Sequence, residues 1–135
     1  MHEREDKLQY PEAENEKQGT ENKNNKMQKS GFVYMLSNKY KTVLYIGVTN
    51  NLKRRMLEHK TGNGSVFTTK YNIVELMYFE KIIGFDKAIA REKQLKNWHK
   101  EWKWNFIKEE NPKLKDLAYD WFTKKELEEY KLNKN

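Results

Sequence analysis

The sequence contains no cysteine. That excludes disulfides and thiolate metal sites, and it suits a reducing compartment, so a cytoplasmic location is expected. No apolar run approaches the roughly 18–20 residues that a membrane-spanning helix needs, so no membrane partner is expected. Large apolar side chains are almost missing from Met1–Ser30, which hold six Lys/Arg and seven Asp/Glu. Such a segment cannot bury enough surface to offset the entropy of ordering it, so residues 1–30 are expected to be a disordered polar tail. This stretch also lacks the apolar region of a secretory signal and is too acidic for a transit peptide. Hydrophobic residues are only 36% of the 135, against 35% charged, so one small domain with a small core is expected.

Positive charge is what the chain does have. Overall there are 27 Lys/Arg and 20 Asp/Glu. With the first thirty residues set aside, 21 basic and 13 acidic side chains remain, a net of +8 over residues 31–135. A compact domain of that charge attracts polyanions, of which nucleic acid is the commonest.

Two short β-rich runs, Phe32–Leu36 and Val43–Val48, flank a polar, turn-like stretch from Ser37 to Thr42. They read as an antiparallel hairpin. Asn50 or Asn51 can cap a helix over Leu52–Lys60, which Gly62-Asn63-Gly64-Ser65 then breaks. Ile73–Glu80 reads as a third strand, and Phe85 to about Lys108 as one long helix that Pro112 stops. Thr123-Lys124-Lys125-Glu126 is a capping-box pattern opening a last helix. The expected fold is α+β, a three-stranded antiparallel-type sheet packed by helices.

Within this frame a few residues stand out. Phe32, Tyr34 and Leu36 share one side of the first strand, and Tyr45 lies in the second. By themselves both tyrosines fit ordinary strand packing, and Gly47 fits either a strand end or a close backbone approach. Arg55 and His59 lie one turn apart on a helix face that also carries Leu52, at the border of the core. There Arg55 could fork onto a phosphate. Ala88, Glu92, Leu95, His99 and Trp102 form a helical stripe that Glu92 interrupts. A carboxylate at such a position needs either a salt-bridge partner, with Arg91 and Lys96 nearby, or a metal ion. Trp102 is expected in the core, and Trp98 and Trp104 either against the C-terminal segment or as stacking surfaces for bases.

Together these residues resemble the GIY-YIG nuclease family, in particular its small single-domain bacterial members related to the N-terminal nuclease domain of the UvrC excision-repair protein. Phe32-Val33-Tyr34 stands for the first motif, with Phe in place of glycine, and Tyr45-Ile46-Gly47 for the second. The family's arginine, ten residues past the second tyrosine, matches Arg55, and its later histidine matches His59. Its metal-binding glutamate matches Glu92 within Ala90–Lys96. The likeness covers residues 31–118, leaving 119–135 as a C-terminal helical extension. The asparagine of some members, downstream of the glutamate, has two candidates in Asn97 and Asn105.

The resemblance implies a metal-dependent endonuclease that hydrolyses nucleic-acid phosphodiester bonds, with DNA the favoured substrate and DNA repair, mobile-element biology or nucleic-acid turnover as the process. The catalytic set would be Tyr34, Tyr45, Arg55, His59 and Glu92, with Glu92 holding one Mg²⁺ or Mn²⁺. Tyr34 would act as general base and Tyr45 would position it. The base would need cationic help from the metal, Arg55 and Lys70, because a free tyrosine titrates near 10. Arg54, Lys70, Lys96 and Lys100 would contact the nucleic acid, and Lys96, Lys100, Lys103 and Lys108 would line one helix. The alternatives are a noncatalytic DNA-binding module or subunit on the same fold, and a small basic structural protein with a coincidental motif.

Overall fold

The computed structural model describes residues 29–134. The expected polar tail lies outside the described residues as far as residue 28. Ser30 already belongs to the first strand, and the Lys29 carbonyl accepts a hydrogen bond from Gly84 N at 2.9 Å. Three strands form one antiparallel sheet: β1 (Ser30–Ser37), β2 (Leu44–Thr49) and β3 (Glu75–Ile83). The order is β2-β1-β3, so β1 lies in the middle and is buried along almost its whole length. The helices are α1 (Leu52–Lys60), α2 (Val66–Lys70), α3 (Phe85–Lys96), α4 (Lys100–Glu110) and α5 (Lys124–Lys134). The α+β architecture therefore matches the expectation. No helix among the described residues is long and apolar enough to cross a membrane.

Both faces of the sheet are covered, which is why β1 reads as a continuous apolar run. Phe32, Tyr34 and Leu36 point to one face and pack with Leu52 and Met56 of α1, with Phe79, and with Ala118 and Trp121. Val33 and Met35 point to the other, against Ala88 and Leu95 of α3 and Ile107 of α4. A bulge opposite Met35/Leu36 shifts the β1–β3 register. It places Met77 and Tyr78 in the same core cluster although they are adjacent in sequence.

The segment after α4 is tied across the first face. Asp116 Oδ1 accepts from Leu76 N at 2.9 Å and from Ala118 N at 3.0 Å, while Oδ2 meets Lys60 Nζ at 2.6 Å. The capping box forms as expected. Glu126 N donates to Thr123 Oγ1 at 3.0 Å, and Thr123 N donates to Glu126 Oε1 at 2.8 Å.

One expectation fails. The helix from Phe85 does not run on to Lys108. Asn97 closes α3, and His99 opens α4 with extended backbone (φ −61°, ψ 150°). A straight helix of that length would measure about 36 Å and carry Phe106 and Ile107 past the end of the sheet. The break folds them back instead, so Ile107 is fully buried and Phe106 meets Trp98 edge-on at 5.5 Å. The apolar stripe therefore does not continue: Trp102 is 55% exposed. Trp98 and Trp104 pack on the α3/α4 core cluster, which Leu114 from the segment after α4 also joins.

Candidate active site

The site begins at the sheet centre. Tyr34 pairs across β1–β2 with Gly47, so both face the same side. A Cβ at Gly47 would lie 2.5 Å from the Tyr34 hydroxyl oxygen and 2.6 Å from its ring carbon. The phenol ring thus lies directly over the glycine, which gives the second motif's glycine a steric reason. Tyr45 is two residues earlier on β2 and shares this face, with its ring 6.4 Å from that of Tyr34.

Helix α1 supplies the next layer. Asn51 caps it by accepting from Arg54 N at 3.0 Å. That start directs Leu52, Met56 and His59 inward, with all three buried. His59 Nε2 lies 3.3 Å from the Tyr34 hydroxyl, and Nδ1 lies 3.2 Å from Thr68 Oγ1 on α2. Thr68 Oγ1 in turn donates to the Ser65 carbonyl at 3.2 Å. One proton arrangement satisfies the row: Tyr34 donates to Nε2, Nδ1 donates to Thr68, and Thr68 donates to Ser65.

The electrostatics follow from depth. Burial, and then the Arg55 cation, lower His59 to about 4, so its imidazole is neutral near pH 7. Burial raises Tyr34 well above the usual phenol range. Tyr45, Glu92 and Glu58 push it further up, and Arg55 opposes them. Arg55 pairs with Glu58 through a terminal nitrogen at 3.2 Å. Its Nε is buried without a hydrogen-bond partner, a costly state for a cationic donor.

Glu92 arrives from the other side of the sequence. Helix α3 is fixed on β3 by Arg91, whose Nε meets Glu80 Oε2 at 2.7 Å, while the Tyr78 hydroxyl donates to Glu80 Oε1 at 2.5 Å. The next residue, Glu92, is 14% exposed and pairs with Lys96 at 3.1 Å. Tyr34, Tyr45 and His59 touch one another, and Arg55 and Glu92 act on Tyr34 through their charges. Among the described residues no group of three or more His, Cys, Asp or Glu side chains could hold a metal ion.

The outer basic residues are scattered. Arg54 is exposed and near Glu58 (3.7 Å), and Lys96 is held by Glu92. The Lys70 ammonium lies over the Tyr71 ring at 5.4 Å. Among the charges that shift Tyr34, Arg55 is the cation that lowers it. Lys100 donates to the Thr42 carbonyl at 3.3 Å and borders an open cavity of about 480 Å³ with Lys41, Trp104 and Lys108. Lys96 and Lys100 sit on different helices, so the expected single lysine row is split at the α3–α4 break. Of the asparagines, Asn97 caps α3 and Asn105 lines that cavity.

Sequence reasoning misses Thr68, Phe67 and Glu58. It treats the stretch from Gly62 to Ser65 as a helix break and nothing more. Yet a Cβ on Gly64 would collide with His59 Nδ1, and Ser65 caps α2 by accepting from Thr68 N at 3.1 Å. A serine three residues before Thr68 is a readable N-cap signal for a short helix.

Residues 30–105 match the family model described as the GIY-YIG catalytic domain. The chain belongs to the GIY-YIG family. Among similar proteins, a UPF0213 protein of Natronomonas pharaonis is 38% identical over 66 residues, 49% of this chain and 76% of its own length. A UPF0213 protein of Bacillus pumilus is 35% identical over 66 residues, 49% of this chain and 67% of its own. A third, from Clostridium perfringens, is 36% identical over 85 residues, 59% of this chain and 90% of its own. No solved structure matches the chain significantly.

Proposed function

We propose that this GIY-YIG chain is a metal-dependent endonuclease that hydrolyses DNA phosphodiester bonds. The observation that carries the reading is the Tyr34–His59 hydrogen bond beside an arginine whose buried Nε has no partner. A phosphate oxygen there would satisfy Nε and meet a planar donor fork.

Tyr34 takes a proton from the attacking water while its own phenolic proton passes to His59 Nε2. No free phenolate is needed, which suits a hydroxyl whose burial opposes ionisation. A phosphate paired with Arg55 offsets the charge that, after burial, lowers His59, so the imidazole becomes a better proton acceptor. Thr68 holds Nδ1 and leaves Nε2 facing Tyr34. Tyr45 packs on both rings and fixes their orientation. Arg55 binds the non-bridging oxygens, where charge grows during attack. The P–O bond to the leaving oxygen breaks, that oxygen takes a proton from solvent to become a hydroxyl, and His59 returns its extra proton to solvent, leaving a phosphate monoester.

The donor set fits a hard ion held by one carboxylate. Glu92 is that carboxylate, and Mg²⁺ keeps several waters and takes further oxygens from phosphate. When bound at Glu92, Mg²⁺ or Mn²⁺ supplies Lewis-acid chemistry, polarising the phosphate and offsetting charge on the leaving oxygen. Glu92 releases Lys96 to do so, and that lysine, with Arg54, Lys70 and Lys100, is then available to the DNA backbone.

The test is single-turnover cleavage by Arg55→Ala and Glu92→Gln. Each is expected to lose about 10²–10³-fold with an unchanged melting curve. Cleavage near the wild-type rate by either variant sinks the assignment.

A further inference from the structure

A row of aromatic rings leads out of the site to the surface. Tyr45 touches the buried Tyr34–His59 pair. Phe67 of α2 is stacked beside Tyr45, with centroids 6.4 Å apart and planes inclined by 28°. Tyr71 follows at 5.0 Å from Phe67, and the Lys70 ammonium lies over its ring. Exposure rises along the row, from 2% at Tyr34 to 45% at both Phe67 and Tyr71. Single exposed aromatics are ordinary on a protein surface. Two neighbouring half-exposed rings continuous with a buried polar site, with a cation beside them, form a different surface.

We propose that Tyr45, Phe67 and Tyr71 are a stacking track for unpaired bases of the strand being cut. The substrate class is then single-stranded DNA or the unpaired arm of a branched DNA. This rests on the nuclease reading of the adjoining site. Every base offers a π-face, so such a track tolerates sequence but needs the face uncovered. In a duplex the neighbouring pairs cover those faces. Lys70, beside the outer ring, adds an attraction for the backbone at the same point.

The experiment is fluorescence anisotropy in EDTA at fixed salt, with three probes on the full chain. They are a labelled twelve-nucleotide oligo-dT, an abasic strand of equal length and charge, and a hairpin duplex. The expected result is that oligo-dT binds about tenfold tighter than the abasic strand, as one to two base stacks would give. Phe67→Ala and Tyr71→Ala should each remove much of that preference and leave abasic binding unchanged, whereas Phe67→Trp should keep it. Val66→Ala, at an 86% exposed neighbour, should change nothing. Equal binding of oligo-dT and the abasic strand overturns the proposal, as does an equal loss on both in the variants. Metal-dependent cutting without a base preference rejects the track and keeps the nuclease; a base preference without cutting does the reverse.

Discussion

Gly47→Ala is the sharpest perturbation of the site that replaces none of its polar groups. The new Cβ would lie 2.5 Å from the Tyr34 hydroxyl oxygen, 2.6 Å from the adjoining ring carbon and 3.1 Å from a third atom. Ordinary contact begins near 3.4 Å. The ring must therefore recede by nearly one ångström, as an order-of-magnitude figure for an overpacked contact. It has nowhere to go: Tyr34 is 2% exposed and enclosed by Tyr45 and His59. Overpacking of this kind costs about 1–3 kcal/mol. The 3.3 Å bond to His59 is already long, so the same movement breaks it and adds about 1 kcal/mol. Urea denaturation should show a loss of about 2–4 kcal/mol, the sum of those two effects. Cleavage, measured where the variant is still fully folded, should fall by more than tenfold. A variant as stable as wild type that cuts at the wild-type rate would refute the role of Gly47 as the seat of Tyr34.

Three further outcomes are expected. Thr68→Val strands His59 Nδ1 in a buried position, which costs about 1–3 kcal/mol. Nitrogen NMR of the imidazole should show the Nδ1–H form in wild type and a mixture in the variant, with Thr68→Ser restoring it. His59 binds its proton at about 4 in the fold and near 6.5 when unfolded, so the unfolded chain takes up more protons between those values. Stability is then fully present above pH 6.5 and falls as pH drops towards 4, by up to about 3 kcal/mol. Denaturation series of wild type and His59→Gln should diverge in that window, and parallel curves would contradict it. Asp116→Ala leaves Lys60, only 14% exposed, with the Val74 carbonyl alone and removes two backbone acceptor contacts. It should lose about 2–3 kcal/mol, short of the figure for a fully buried pair, and keep the wild-type cleavage rate per folded molecule.

Alternation and punctuation made much of the fold legible. The hairpin, α1 with its Asn51 cap, the capping box and the stop before Pro112 all follow from local chemistry. The α3–α4 break was not legible, because Asn97-Trp98-His99 contains neither glycine nor proline. Packing of Trp98 and Phe106 decides it. At the site, helical spacing put Arg55 and His59 on one face at the core border, whereas Tyr34 and Tyr45 read as ordinary strand residues until the family resemblance singled them out. The partners of His59 were hidden because they depend on how the Gly62–Ser65 turn delivers α2 onto α1. That contact brings together residues from two helices and has no period to read. The position of Lys70 was hidden for the same reason.

The most direct test is a gel cleavage assay of the purified chain on labelled single-stranded, duplex, flap and branched DNA. Mg²⁺, Mn²⁺ and EDTA arms would run beside the Glu92→Ala variant. Metal-dependent cutting by wild type, absent in EDTA and lost in Glu92→Ala, is the predicted result. Cutting that survives EDTA or the loss of Glu92, or salt-sensitive binding with no cutting under any condition, would contradict a metal-dependent nuclease.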